Sequence, residues 1–329
     1  MNFYIEPKDI EEAHDRISGN IVNTPLVRSQ TLTDITGANT LFKLENLQMT
    51  GSFKERGALN KLLTLTDAEK ARGIIAASAG NHAQALAYHG DRLGISVKIV
   101  MPKYSPIVKV KSTEHWGAEV MLIGETFDDA MAASKEIVKK EKRTYIHPFD
   151  DPMIAAGQGT IAVELLESEF AADVDAVLVP VGGGGLISGI ATWVKARAPH
   201  ISIIGIEEQN CDAMHQALQE GAPTLVEAAP VIADGIAVRE VSAENLRIVN
   251  ALVDEVVSVS ADEIANAIML MLEIEKLVVE GAAATPLAAL VNNRLPHLNG
   301  KNVVSIVSGG NIDVNLLSKI IDQGLVFDG

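Results

Sequence analysis

The sequence predicts an α/β protein with a mainly parallel sheet and helices on both of its faces. Two observations predict it: short apolar runs alternate with longer segments of helical periodicity, and no internal repeat, low-complexity tract or obvious linker interrupts this order. The runs that predict strands are GIIAAS, SVKIVM, AVLVPV, ISIIGI, EVVSVS and NVVSIV, while IAVELLESEF and ADEIANAIMLMLEIEK are typical of the helices. Strands that alternate with helices form βαβ units, which pair in parallel. We expect the three strand-helix units between about Gly73 and Pro148 to form a small domain inserted into a larger one.

Composition limits the kind of ligand. The 329 residues are 47% hydrophobic and 21% charged, so the chain can bury a large core. Its net charge of −16 argues against nucleic acid or an anionic membrane as a partner, because both would repel the average surface. The single cysteine, Cys211, excludes an internal disulfide and fits a reducing compartment. With no secretion signal and no apolar stretch of membrane-spanning length, we expect a cytoplasmic protein that binds small molecules.

Three loops each follow a predicted strand directly and precede a helix: SAGNHAQ after IIAA, GGGGLISG after VLVPV, and SGGNID after VVSIV. This edge of an open α/β sheet is where ligands bind. The glycines 182–185 lead into a helix N-terminus, where unpaired N–H groups and the helix dipole suit a phosphate. A tight crossover packed against the sheet is the alternative explanation.

Several phosphate-binding and catalytic motifs do not match. In a dinucleotide fingerprint the third glycine would fall on Ile187 or Ser188, although Glu207 lies at about the distance expected of the acid. A P-loop is excluded because no Gly-Lys-Ser/Thr follows the glycines, and no G-x-S-x-G elbow is present. The spacing of His82 and His89 does not match a zinc pair. We expect His82 to be a loop residue near the site and His89 to lie at the surface.

Pyridoxal phosphate is the remaining candidate, and it requires a lysine, an anion cradle and partners for its ring. The stretch TGSFKERGAL places Lys54 after a Gly-Ser pair, although this stretch alone also fits a solvated lysine on a helix surface. In order along the chain stand SFKERGA, SAGNHAQ, AGQGT, GGGGL, ADGIAV, VEGAAA and SGGN. Together these motifs, from NTPL at Asn23 onward, resemble the serine/threonine dehydratase family of fold-type-II pyridoxal phosphate enzymes. The resemblance implies two doubly wound, three-layer α/β/α domains with mostly parallel sheets: a large cofactor-binding domain of residues 1–72 and 149–329, and a small domain of residues 73–148.

The resemblance also implies roles for individual residues. Lys54 would hold pyridoxal 5'-phosphate as an imine and later act as the general acid/base. Phe53 would lie against the ring and Asn81 would bind its 3-hydroxyl, while Ser78 and the backbone of residues 80–82 would hold the substrate carboxylate. The phosphate would be held by Gly182, Gly183, Gly184, Gly185 and the N–H of Leu186. Residues 157–160 and Gly235 would line the pocket, and Glu280 would be an acid near the cofactor.

Ser308 would face the ring nitrogen, and this position bears on the reaction. A hydroxyl supplies no negative charge there, so the ring stays largely neutral and charge at the α-carbon is less well delocalised. Removal of the α-proton and loss of the β-hydroxyl in close succession are then favoured. The implied products are a 2-oxo acid and ammonia.

The expected activity is that of an L-threonine/L-serine ammonia-lyase producing 2-oxobutanoate or pyruvate. Serine racemase and 3-hydroxyaspartate dehydratase are the alternatives of the same fold, and a nucleotide-binding or regulatory protein that kept the glycine loop is one of another class. Ala79 favours the lyase, because racemases that resemble this chain carry a serine there. Threonine and serine are not distinguished, since one methyl group is worth only about 1–3 kcal/mol in a pocket.

Two departures from the family pattern carry expectations. The segment GIEEQNCDAMHQ offers Glu207 but has Ala213 where a second acid is expected, so we predict no tight metal site. The chain ends at GLVFDG, about where allosteric threonine dehydratases continue into a regulatory domain, so isoleucine feedback is not expected of these residues. A homo-oligomer, either a dimer or a tetramer, is expected.

Overall fold

A computed structural model describes residues 3–227 and 229–324, and within them ten strands form two sheets. The strands are β1 Leu26–Arg28, β2 Asn39–Leu44, β3 Ile74–Ala77, β4 Val97–Met101, β5 Glu119–Leu122, β6 Thr144–Tyr145, β7 Ala176–Pro180, β8 Ser202–Glu208, β9 Glu255–Val259 and β10 Asn302–Val307. The larger sheet has the order β1-β2-β10-β7-β8-β9 and the smaller one the order β5-β4-β3-β6. Every pairing is parallel except that of β1 with β2. The predicted α/β class with mostly parallel sheets is confirmed.

The described α-helices connect these strands. They are α1 Pro7–Ile17, α2 Gln30–Thr36, α3 Lys54–Leu63, α4 Asp67–Arg72, α5 Asn81–Arg92, α6 Ile107–His115, α7 Phe127–Glu141, α8 Pro152–Leu166, α9 Gly185–Arg197, α10 Ala213–Glu220, α11 Ala243–Leu252, α12 Ala261–Leu270, α13 Gly281–Val291 and α14 Val314–Gly324. All six apolar runs that predict strands are strands, namely β3, β4 and β7 to β10. The six apolar runs do not include β1, β2, β5 and β6, although β5 with α7 is the third strand-helix unit expected between residues 73 and 148. In β2 the apolar run is broken by Lys43, whose buried amine pairs with Glu164.

The large sheet is covered on both faces, as parallel sheets usually are. Successive side chains of β7 alternate between two cores: Val177 and Val179 enter one, and Ala176 and Leu178 enter the other. Both faces of this strand are therefore dry, which explains why its sequence is continuously apolar. This produces the expected three layers.

The small sheet has a core of its own. Ile74 and Ala76 of β3 pack with Ala58 of α3, and Ile154 of α8 joins the same core. The opposite face of β3 packs through Ile75 against α7. Helices on either side of the expected insertion thus contribute to its core, and the division at residues 73 and 148 stays a prediction.

Two further findings concern expectations from composition. In the part of the chain that the structure describes, no helix is long and apolar enough to cross a membrane. Cys211 is a buried free thiol whose pKa is raised to about 11 by burial. The end of the chain at GLVFDG, on which the expectation about a regulatory domain depends, lies almost entirely outside the described residues.

Candidate active site

Lys54 is the first residue of α3 and is not a freely solvated cation. Its side chain is half-buried, and Nζ donates a hydrogen bond of 2.9 Å to the carbonyl of Pro148. Burial lowers the pKa of the Lys54 amine to about 8, with the Glu280 carboxylate opposing the shift. Nζ also lies 5.2 Å from the centre of the Phe53 ring. The neutral amine is therefore accessible near physiological pH, as a general base requires.

The loop after β10 runs beside the segment that leads to Lys54. Phe53 N donates to Ser308 O at 3.0 Å, Gly310 N donates to Gly51 O at 2.9 Å, and Ser52 forms a bridge with Gly309. The Ser308 hydroxyl is buried, and among the described residues it has no hydrogen-bond partner. A buried hydroxyl without a partner is unfavourable, so Ser308 is suited to meet a polar atom of a ligand.

A polar cluster links the small sheet to the same loop. Asn81, the first residue of α5, donates through Nδ2 to both carboxylate oxygens of Glu280 at 2.9 and 3.0 Å. Its Oδ1 accepts from Asn311 Nδ2 at 2.8 Å, and Glu280 N donates to Gly309 O at 3.1 Å. Burial raises the pKa of Glu280 to about 7, and the hydrogen bond from Asn81 opposes that shift. Asn81 and Glu280 are thus brought together next to Ser308.

The glycine loop between β7 and α9 has a backbone conformation and close contacts that favour glycine over other residues. Gly184 has φ 90°, in the left-handed region. A Cβ atom on Gly183 would lie 2.3 Å from the Phe149 ring, and one on Gly185 would lie 3.0 Å from Phe149 O. Leu186 follows in the first turn of α9 and is buried. The loop opens onto a helix N-terminus and could hold a phosphate.

The loop after β3 carries Ser78 and Ala79. Ser78 N donates to Val100 O at 3.2 Å, and Ser78 Oγ accepts from Gly80 N at 3.2 Å. Ala79 is partly buried against the core of the small sheet. The Ser78 hydroxyl therefore lies at the carboxyl edge of this sheet, where a substrate carboxylate could reach it.

The expectations for the two histidines are corrected. His82 lies in the first turn of α5 instead of a loop, is buried, and has Nε2 3.2 Å from Ile146 O. Burial and the nearby Lys54 cation lower its pKa to about 3, so the ring is neutral. The prediction that His89 lies at the surface is wrong, because α5 packs against α3 and buries His89 completely, 3.5 Å from Glu55.

Residues 157–160, expected to line the pocket, include two glycines that pack closely between helices. They lie inside α8, where a Cβ on Gly157 would be 2.6 Å from Gly57 Cα, and one on Gly159 would be 2.9 Å from Gly189 O. These glycines permit close packing of α8 against α3 and α9. Gly235 does lie at the site, because a Cβ atom on Gly235 would be 3.1 Å from Glu280 Oε1.

Glu207 has a structural partner at the end of β8. Its carboxylate accepts the backbone N–H groups of Met214 at 2.9 Å and His215 at 2.8 Å, which begin α10 next to Ala213. Burial raises the pKa of Glu207 to about 8. Over residues 3–227 and 229–324, no group of three or more His, Cys, Asp or Glu side chains is arranged to hold a metal ion.

Some residues at the site carry no recognisable motif. Pro148 and Phe149 follow the last strand of the small sheet: Pro148 O accepts from Lys54 Nζ, and the Phe149 ring packs on Gly183. Asn245 of α11 binds the carbonyl groups of Gly183 and Phe149. These residues are far apart in sequence from the loops that they contact, so no local motif marks them. The one signal in the sequence is Asn245, a polar residue on the apolar face of α11.

The residues present fit pyridoxal phosphate. The lowered pKa of Lys54 suits an amine that binds a carbonyl group, and the glycine loop suits the phosphate. The Ser308 hydroxyl, unpartnered within residues 3–227 and 229–324, suits a ring atom. The individual roles stay predictions.

Comparison with known proteins agrees with this fit. The chain is 44% identical over 322 residues to the L-threonine ammonia-lyase of Thermotoga maritima. The aligned region covers 98% of this chain and 79% of that protein. The processed form of threonine deaminase isoform 2 from Solanum lycopersicum superposes with a TM-score of 0.90 at 36% identity, covering 98% of this chain and 88% of that one. Maize serine racemase superposes with a TM-score of 0.91 at 31% identity over 99% of both chains. Residues 17–309 match the family described as pyridoxal-phosphate dependent enzyme, and the chain therefore belongs to that family.

Proposed function

We propose that this chain removes ammonia from L-threonine, L-serine or both by pyridoxal phosphate-dependent α,β-elimination, forming 2-oxobutanoate or pyruvate. The observation that carries the proposal is Lys54, a half-buried amine with a pKa of about 8 that follows Phe53, whose N–H donates to Ser308 O. The hydroxyl of Ser308 is buried and has no partner among the residues that the structure describes. The likeness to L-threonine ammonia-lyases over nearly the whole chain supports it.

Lys54 is the group that moves protons. Bound pyridoxal phosphate supplies an electron sink for the α-carbon of the amino acid. The desolvated Lys54 amine takes the α-proton, since its pKa of about 8 leaves a neutral fraction near pH 7. Ser78 and the first N–H groups of α5 bind the substrate carboxylate, which holds the α-proton toward Lys54.

Ser308 favours elimination. Its hydroxyl offers a hydrogen bond without a negative charge, so charge that develops at the α-carbon is poorly delocalised. The β-hydroxyl then leaves as water, with the Lys54 ammonium that took the α-proton as the proton donor, and this loss relieves that charge. We infer that Asn81, whose Nδ2 donates to Glu280, binds the 3-hydroxyl of the ring.

Serine racemase is the second candidate, since the maize enzyme superposes closely. Racemisation needs an acid/base on each face of the α-carbon, and Ala79 has no exchangeable proton to serve the face opposite Lys54. The lyase therefore remains the favoured activity, and 3-hydroxyaspartate dehydratase remains the alternative among lyases.

The proposal includes a cytoplasmic homo-oligomer, a dimer or tetramer. Exposed apolar side chains support association: Leu47 is 45%, Met49 57% and Val278 45% exposed. The segments that carry them touch, because Asn46 Nδ2 donates to Val278 O at 3.4 Å. The division into residues 1–72 with 149–329 and residues 73–148 belongs to the same proposal.

The test compares the wild-type holoenzyme with Lys54→Ala. The wild type should absorb as an imine and release 2-oxo acid and ammonia from threonine or serine, whereas Lys54→Ala should show no turnover with an intact fold by circular dichroism. Lys61→Ala, on the same helix, is the control and should remain active. Borohydride should fix the cofactor to the Lys54 peptide. Labelling of another lysine would contradict the proposal, as would faster turnover of 3-hydroxyaspartate than of threonine and serine.

A further inference from the structure

We infer that Asn245 is a positioning residue for the cofactor phosphate: it fixes the Gly183 carbonyl so that the neighbouring N–H groups face the anion. The inference rests on the proposed use of the glycine loop as the phosphate cradle. It adds a residue of α11, a helix outside all of the loops that the motifs mark.

The contacts of Asn245 define one orientation of its amide. The side chain is completely buried, and Nδ2 donates to Gly183 O at 2.8 Å and to Phe149 O at 3.1 Å. Its Oδ1 accepts from the Tyr4 hydroxyl at 2.6 Å. An asparagine amide has two N–H donors, and both face carbonyl oxygens that can only accept. The reverse orientation would place Oδ1 against two oxygens and is excluded.

Fixing the Gly183 carbonyl determines the direction of the next N–H group. A trans peptide unit is planar, so the carbonyl of Gly183 and the N–H of Gly184 point in opposite directions. Asn245 binds the oxygen on one side, and the Gly184 N–H is therefore directed to the other. Without this bond a glycine loop could rotate and present a carbonyl oxygen to the phosphate.

The second bond of Nδ2 fixes the wall beside the loop. The Phe149 ring fills the space at Gly183, and the preceding carbonyl, that of Pro148, accepts from the Lys54 amine. Asn245 also fills the space above Gly184, because a Cβ atom on Gly184 would lie 2.8 Å from the Cβ of Asn245. One buried amide thus contacts the glycine loop at both Gly183 and Gly184.

The experiment measures binding of two ligands to the apoprotein. Pyridoxal phosphate and pyridoxal differ only in the phosphate. A change confined to the phosphate cradle therefore alters the Kd for pyridoxal phosphate and leaves the Kd for pyridoxal unchanged. For Asn245→Ala, which loses both donors, we expect the Kd for pyridoxal phosphate to rise at least about tenfold, and that for pyridoxal to change less than about twofold. Asn250→Ala, at an exposed position of the same helix, is the control and should change neither. The ³¹P resonance of the bound cofactor should broaden or shift in Asn245→Ala alone.

Equal weakening of both ligands would show a general structural role and overturn the inference, as would an unchanged Kd for pyridoxal phosphate. If Asn245→Ala does not fold, Tyr4→Phe decides, because it removes only the bond that orients the amide. For Tyr4→Phe we expect the Kd for pyridoxal phosphate to rise about threefold and the Kd for pyridoxal to stay the same. An unchanged Kd for pyridoxal phosphate in this variant would overturn the inference. Failure of the proposed reaction would be seen separately, as absence of 2-oxo acid from a wild-type holoenzyme that still binds the cofactor.

Discussion

At the residue scale, we expect Ala79 to decide between elimination and racemisation, which the shared fold does not distinguish. It stands directly before Gly80 and Asn81 and carries no proton that could be exchanged with a substrate. We expect L-serine to yield pyruvate with little D-serine, and Ala79→Ser to raise racemisation relative to elimination, because the added hydroxyl supplies the missing acid/base. Chiral chromatography of the residual serine during turnover in deuterated buffer measures both. Deuterated D-serine formed by the unchanged protein as fast as pyruvate would favour the racemase.

Ser308 allows a second test at this scale. Loss of one neutral hydrogen bond is worth about 0.5–1.5 kcal/mol, so Ser308→Ala should keep the cofactor and lower kcat/KM by about two- to tenfold. Ser305→Ala is a matched control, since Ser305, within β10, is also buried and its hydroxyl likewise lacks a partner among the described residues. It should leave both the absorbance of the cofactor and kcat/KM unchanged. Complete loss of cofactor from Ser308→Ala would show that the role of Ser308 is different.

At the scale of the element, α3 is held by buried charges directly after Lys54. The Arg56 guanidinium binds Glu45 at 2.8 Å and Glu164 at 2.6 Å, and Lys43 binds Glu164 at 2.5 Å. All four side chains are buried, and two cations balance two anions. The glutamates raise the pKa of Arg56, which therefore stays charged. The cluster fixes α3 against β2 and α8.

Removing one member of this cluster leaves a buried charge without its partner. Arg56→Met should therefore lower the free energy of unfolding by about 3–5 kcal/mol. Lys61→Ala breaks the more exposed ion pair of the same helix, with Asp151 at 2.7 Å, and should cost about 1 kcal/mol or less. Denaturant unfolding followed by circular dichroism compares the two. Similar midpoints for both variants would contradict the account of the cluster.

At the scale of the whole molecule, association should depend on the apolar surface around Leu47. Leu47→Lys should shift sedimentation toward a smaller species, because a lysine buried in an interface would lose its hydration. Leu122→Lys is the control: Leu122 is also 45% exposed, but it lies on β5 at the edge of the small sheet. A wild-type protein that sediments as a monomer would contradict the proposed oligomer, and an equal shift in both variants would contradict its placement.

The sequence by itself determined six of the ten described strands and the three loops that follow β3, β7 and β10. Apolar runs such as AVLVPV are recognisable because both faces of a parallel strand are buried, and β7 is a strand as predicted. The glycines of GGGGL and the lysine of SFKERGA are local features, whose conformational and chemical requirements are readable in a few residues.

Only the tertiary structure decided which distant groups meet. The burial of His89, the packing of Gly157 against Gly57, and the bonds of Asn245 to Gly183 join segments far apart in the chain. A histidine on a helix or a glycine in AGQGT fits a surface or a pocket equally well when read locally. Their environments depend on how α5, α8 and α11 pack, and packing arises from contacts that no local pattern encodes.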